Sequence, residues 1–155
     1  MQLAAQPTEF STNALARGEQ LDGWRDWYDG VFDVVQPMHR AGGPAFKASN
    51  RRLNVGGVGL SRVSAPPLRA LRPRELIRRN PVDHWSLTVG SKPTILTLGS
   101  GAMQVPANTP FLMSLGEPFS SERGGDTRIQ LYLPRDTFSP IAPVLDAARG
   151  RAVPR

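Results

Sequence analysis

The chain of 155 residues contains no cysteine. Disulfides and thiolate chemistry are excluded, and the absence fits a reducing cytoplasm. Histidine is nearly missing too: only His39 and His84 occur, far apart and with no carboxylate beside either at metal-ligand spacing. A metal site built on histidine pairs is therefore not expected, and His84, next to Trp85 at a strand start, reads as a surface or edge residue. No Gly-x-Ser-x-Gly elbow marks a nucleophile. Gly99-Ser100-Gly101 precedes no helical pattern, so it reads as a turn and not as a phosphate cradle. No apolar run is long enough to span a bilayer, and the amino terminus lacks the charged-then-apolar form of a signal peptide. These absences point to a cytoplasmic protein without metal, cofactor, catalytic residue or membrane partner.

What is present is alternation. Trp85, Leu87 and Val89 repeat with a period of two, as do Phe111, Met113 and Leu115, and again Ile129, Leu131 and Leu133. Turn residues separate these runs, which is the pattern of half-buried antiparallel strands. Fifteen Gly and fifteen Pro make up about a fifth of the chain, below the roughly 25–30% of low-complexity disorder. One domain of this length buries an adequate core. The fold expected is mainly β, an antiparallel barrel or sandwich whose last strand ends at Leu133-Pro134, because proline removes an amide donor from the ladder.

In chain order, a polar lead over residues 1–18 precedes an amphipathic stripe. Leu21, Trp24, Tyr28, Val31, Phe32 and Val35 predict a helix over about Glu19 to Val35, with Trp27 outside the stripe. Gly23 and Gly30 each weaken that helix by roughly 1 kcal/mol relative to alanine, so packing must hold it. After Gln36-Pro37 and a Gly42-Gly43-Pro44 turn, strands are expected over Phe46–Leu53 and Val58–Ala65, with Val55-Gly56-Gly57 as the hairpin. Val58 and Leu60 share a parity with Arg62, so that strand's apolar face is not kept to its end. Behind the last strand, Phe138, Ile141, Leu145 and Ala148 form a stripe. Asp136 is placed to cap it, and Pro140 and Pro143 restrict it to a short helix before Gly150.

The formal net charge is +6, which bears on association and not on fold. Arg69, Arg72, Arg74, Arg78 and Arg79 crowd Pro66–Pro81, with Arg51, Arg52 and Arg62 upstream. Aromatic residues do not interleave with them as on a base-stacking surface. Pro66, Pro67, Pro73 and Pro81 break the segment into extended pieces, so no DNA-reading helix is expected. The segment reads first as a solvated loop and strand edge, second as an anion-binding or partner-facing patch. Specific nucleic-acid binding by this chain is not expected.

One order of phrases is more specific than any of its parts. Phe10-Ser11-Thr12, Trp24-Arg25, Leu60 to Ala65, Arg72, Asp83 before Trp85-Ser86-Leu87-Thr88-Val89, Val105-Pro106-Ala107-Asn108, Gly116-Glu117-Pro118-Phe119 and Ile129 to Arg135 follow in turn. Together they resemble the cupin-like amino-terminal regulatory domain of AraC-type transcription regulators. Ala107-Asn108 stands where relatives usually carry Gly-Asp, and Asn also supports a turn. The resemblance implies a cupin-like regulatory domain over residues 19–149, a barrel with one amphipathic helix before it and a short one after. It further implies effector sensing or subunit contact, as a homodimer or with a full-length regulator. Residues 150–155 would begin a linking region, with the helix-turn-helix half absent. Two other classes compete: an enzyme with a barrel active site, and an orphan interaction domain that binds a full-length regulator.

A barrel of this size either fills with side chains or keeps room for one small ligand. Trp85, Met103, Met113 and Tyr132 are the candidates to contact an effector, because aromatic and thioether groups adapt to apolar surface and a phenol adds an orienting hydroxyl. The resemblance adds Arg72, whose planar fork suits an acidic effector. The competing reading makes the apolar four ordinary core and Arg72 a surface or structural ion-pair residue. Tyr132 is opposite in parity to Ile129, Leu131 and Leu133, so they cannot all line one cavity.

Overall fold

The computed structural model of the protein describes residues 6–36 and 43–153. His39, Pro37, Gly42, the first five residues of the lead and the last two of the linking region lie outside the described residues. The described chain opens with β1 (Thr8–Ser11), two short 3-10 turns, α1 (Gln20–Trp27) and β2 (Asp33–Val35). A hairpin follows, β3 (Ser49–Val55) and β4 (Val58–Ala65), then β5 (Leu68–Arg72) and α2 (Arg74–Arg79). Next come β6 (Trp85–Gly90), β7 (Thr94–Leu98), β8 (Gly101–Val105), β9 (Phe111–Ser114), β10 (Phe119–Arg123) and β11 (Asp126–Leu133). The chain closes with α3 (Ala142–Ala148) and the two-residue β12 (Arg151–Ala152).

Among the described residues the strands form two sheets, in the orders β1-β3-β4-β11-β6-β9-β12 and β2-β5-β10-β7-β8. Every pairing is antiparallel. The sheets face each other as a sandwich, and each keeps two edges, so of the two expected architectures the closed barrel is not formed. The mainly-β, cupin-like expectation holds.

The β3–β4 hairpin turns through Gly56 and Gly57, at φ 57° and 86°. Two consecutive left-handed positions match the right-handed twist of the flanking strands, and glycine takes them without a Cβ penalty. Strand β4 has the expected bounds. Its partner begins three residues later than expected, because Phe46 is buried in the core and its carbonyl accepts from the Thr12 hydroxyl at 2.6 Å instead of from a neighbouring strand.

The first helix is much shorter than its stripe. It ends at Trp27, and Gly30 turns the chain at φ 79°. The Gly30 carbonyl accepts from the Asn80 side chain at 2.8 Å, and Asp33–Val35, expected as helix, pairs with β5 as a strand. The spacing reaches Phe32 because Phe32 packs on the same core as Leu21, Trp24 and Tyr28, but in β2 it is Val34 and not the expected Val35 that is buried there. Trp27 also joins this core, stacked on Phe10 with centroids 4.9 Å apart.

The arginine-rich segment differs from the expected run of extended loop. Strand β5 lies between β2 and β10 and is not an edge. The residues after it coil into α2 because Pro73 stands just outside the first turn, where its missing N–H costs nothing, and Pro81 lies beyond the last. Asp136 caps no helix: the 3-10 turn Ser139–Ile141 that leads into α3 starts behind Phe138 without a side-chain cap.

On β4, β11 and β6 the apolar parity points outward, whereas on β9 Phe111 and Met113 face the opposite sheet. Leu53, Leu60, Leu131, Leu87 and Leu112 are directly paired across five strands, and Leu60 and Ile129 are exposed. Arg62 shares that outer face, so β4 does not leave the core: Ser61, Val63 and Ala65 stay buried on its inner one. The inner face of β11 is therefore Asp126, Arg128, Gln130 and Tyr132.

Candidate functional site

A cavity of about 60 Å³ lies between the two sheets and is closed at one end by α1 and the turn after it. Its apolar wall is built from Trp24, Phe32, Leu68, Phe111, Met113 and Phe119, and its polar wall from Ser86, Thr88, Ser121, Arg123, Arg128 and Gln130. Register explains the assembly. Ser86 pairs with Met113 and Thr88 with Phe111, while Thr88 also pairs with Gln130. Side chains at matched positions point to the same face, so three strands deliver one wall.

The charged part of that wall joins the sheets. Arg128 Nε donates to both Asp126 oxygens at 3.3 and 3.1 Å, and its NH2 group donates to Thr94 Oγ1 of the opposite sheet at 2.5 Å. Arg123 lies 3.4 Å from the same carboxylate with its side chain only 8% exposed. Gly90 leaves the room this needs: a Cβ there would stand 2.8 Å from an Asp126 oxygen. One carboxylate thus serves two buried guanidiniums. Burial, reinforced by the like charge of Arg123, pushes the Arg128 pKa down to about 10. Burial lowers Arg123 as well, against the opposing pull of Asp126. Arg123 Nε is buried and has no hydrogen-bond partner.

Of the residues singled out in the sequence, Met113 lies on the cavity wall and the others do not. Tyr132 stands one step behind it and donates its hydroxyl to Gln130 Oε1 at 3.2 Å. Desolvation raises its pKa. Met103, on β8, packs against Leu96, Val105, Phe111 and Met113.

Arg72 is 0% exposed, and all five of its N–H donors are engaged. Nε donates to the Leu115 carbonyl at 2.5 Å, one terminal nitrogen to Gly30 and Val31 at 3.3 and 2.9 Å, and the other to Asn80 and Val82 at 2.7 and 3.1 Å. Its partners are neither solvent nor a carboxylate. It clasps three loops, and in this geometry no donor is left over for an acidic effector.

Trp85 faces away from the cavity and anchors α3. Its indole N–H donates to Asp146 Oδ1 at 3.0 Å, and the Arg135 guanidinium lies over its ring at 4.2 Å. Arg135 and Arg149 both pair with Asp146. The hydrogen bonds from Arg135 and then Trp85 hold the Asp146 carboxyl below its usual range. A depressed carboxyl pKa contributes stability above the unfolded value, and that stability is lost as pH falls through the folded value. The latch is expected to stay closed down to about pH 4, the ordinary aspartate range, and to release below it. The indole N–H resonance of Trp85 checks this: it should shift in acid in the wild type and already be displaced at neutral pH in Asp146→Asn.

Sequence reasoning missed Arg123, Arg128, Ser86, Thr88 and Gln130. Asp126, Arg128, Gln130 and Tyr132 alternate with Ile129, Leu131 and Leu133, and that alternation is ordinarily read with the apolar set inward, so nothing in the sequence pointed to these side chains. Among the described residues, no group of three or more His, Cys, Asp or Glu is placed to hold a metal, and no helix is long and apolar enough to cross a membrane.

No family model and no curated protein matches the sequence. Solved structures do match. The AraC-like transcriptional activator CuxR superposes with a TM-score of 0.88 at 18% identity, over 97% of this chain and 55% of its own. The fold is that of CuxR. The chain thus spans about half the length of that activator, and at this identity the likeness speaks for fold alone. Ectoine synthase from P. lautus is 10% identical over 56% of this chain and 64% of its own, with a TM-score of 0.42. A cupin-2 domain protein from Rhodospirillum rubrum is 13% identical over 66% and 69%, with a TM-score of 0.38. Both fall too low to inform the site. The CuxR-like fold agrees with the resemblance seen in the order of sequence phrases.

Proposed function

We propose that this chain is the regulatory domain of an AraC-type transcription regulator, non-catalytic, which senses a small effector between its sheets and signals to a DNA-binding half outside residues 1–155. The observation that carries the reading is the superposition of nearly the whole chain on about half of an AraC-like activator. The partly polar cavity between the sheets supports the sensing role, because ligand sites combine an apolar lining with a few placed polar groups. Subunit contact, with a second copy or with a full-length regulator, belongs to the same reading. Promoter contact is left to the second half.

The expected result is that the reading frame continues past Arg155 into two helix-turn-helix patterns. Sequencing the gene downstream checks it. A stop codon there overturns this form of the proposal in favour of an interaction domain that acts on another regulator.

A further inference from the structure

We propose that the cavity between the sheets binds a short-chain carboxylate, with the carboxylate on Arg123 and the aliphatic tail against Phe111, Met113 and Phe119. This rests on the regulatory reading and names the chemical class of its effector.

Three observations converge. The first is a charge imbalance: Arg123 and Arg128 share the single Asp126 carboxylate, so the polar wall holds one buried cation more than its anion neutralises. A buried charge without a partner is costly, and an anion entering the cavity supplies the missing one. The second is a free donor. Arg128 directs Nε to Asp126 and NH2 to Thr94, whereas Arg123 Nε is buried, unpartnered and carried by a side chain on the cavity wall. A carboxylate is the acceptor that suits a guanidinium edge. The third is size. A site needs about 10–15 Å³ of such volume for each water-sized group, so a cavity of about 60 Å³ admits roughly four to six heavy atoms by that measure. Acetate, propionate and butyrate fall in that range. The apolar wall facing the arginines favours a species with a hydrocarbon end over a fully hydrated oxoanion.

The test is calorimetric titration of the 155-residue chain with propionate and butyrate, with propionamide, and with inorganic phosphate. Carboxylates are expected to bind, propionamide to bind at least tenfold more weakly, and phosphate not to compete. Arg123→Gln should abolish the preference for acid over amide, and Arg123→Lys, which keeps the buried charge but loses the fork, should weaken it while the circular-dichroism spectrum is unchanged. Arg78→Gln, on the exposed side of α2, should bind like the wild type. Equal binding of acid and amide, binding of phosphate as strong as that of propionate, or no binding of any carboxylate would each overturn the assignment. None of these outcomes touches the reading frame beyond Arg155. Conversely, carboxylate binding in a chain followed by a stop codon keeps the ligand class and removes the regulator half.

Discussion

Arg72→Met is expected to lower the unfolding free energy by roughly 4 kcal/mol or more, because hydrogen bonds to a charged group contribute about 1.5–3 kcal/mol each and the stranded carbonyls stay buried. For a chain of this length that corresponds to a fall in Tm of about 10–15 °C. The cause is the number of loops involved. The guanidinium holds the turn after α1 through Gly30 and Val31, the segment after α2 through Asn80 and Val82, and the end of β9 through Leu115. Arg72→Lys should recover little, since an ammonium is a point donor with three protons and cannot reach acceptors arranged around a plane. Urea unfolding followed by far-UV circular dichroism reads both variants. Near-wild-type stability for the lysine variant would mean that charge alone, and not the fork, holds the loops.

Asp126→Asn is expected to cost about 3–5 kcal/mol, the range found when one partner of a buried ion pair is removed. The carboxylate is the ion-pair partner of both Arg123 and Arg128, and its loss leaves two guanidiniums facing each other in a low-dielectric space. Removing one of those charges should then restore stability. The double variant Asp126→Asn/Arg128→Gln is expected to be more stable than Asp126→Asn alone, with a coupling measurable in a double-mutant cycle. Simple addition of the two single losses would show that Asp126 acts by packing.

Much of the sheet was legible because turn chemistry and period agree locally. Gly56-Gly57 defined a hairpin, Val58–Ala65 its second strand, and Pro134 the end of β11. The direction of the faces was not legible. Burial normally ranks apolar over polar, yet β11 turns Arg128 and Gln130 inward and Ile129 outward, since a cavity wall needs polar groups that a filled core would not tolerate. That inversion hid Arg128 and Gln130, whereas Met113 lies on β9, where the apolar parity of Phe111 and Met113 does face the cavity. Two further errors share a cause in distant contacts. The extent of α1 is set by Gly30, whose carbonyl is held by Asn80 and Arg72. The role of Arg72 depends on carbonyls from three loops, and backbone acceptors leave no mark in side-chain sequence.

The position of β11 also constrains how the molecule is made. It is the eleventh strand in the chain, yet it sits between β4 and β6 in the seven-stranded sheet. Until residue 133 has left the ribosome, both neighbours are open edges, and an unpaired edge is a template for another nascent chain. The pairing of β11 with β4 joins Asp126 to Ala65 and Tyr132 to Gly59, a separation that makes the decisive step in folding non-local and slow. Synthesis must therefore pass residue 133 before the two halves of the larger sheet can join, and β3 and β4 wait, half-paired, for a strand made some sixty residues after them.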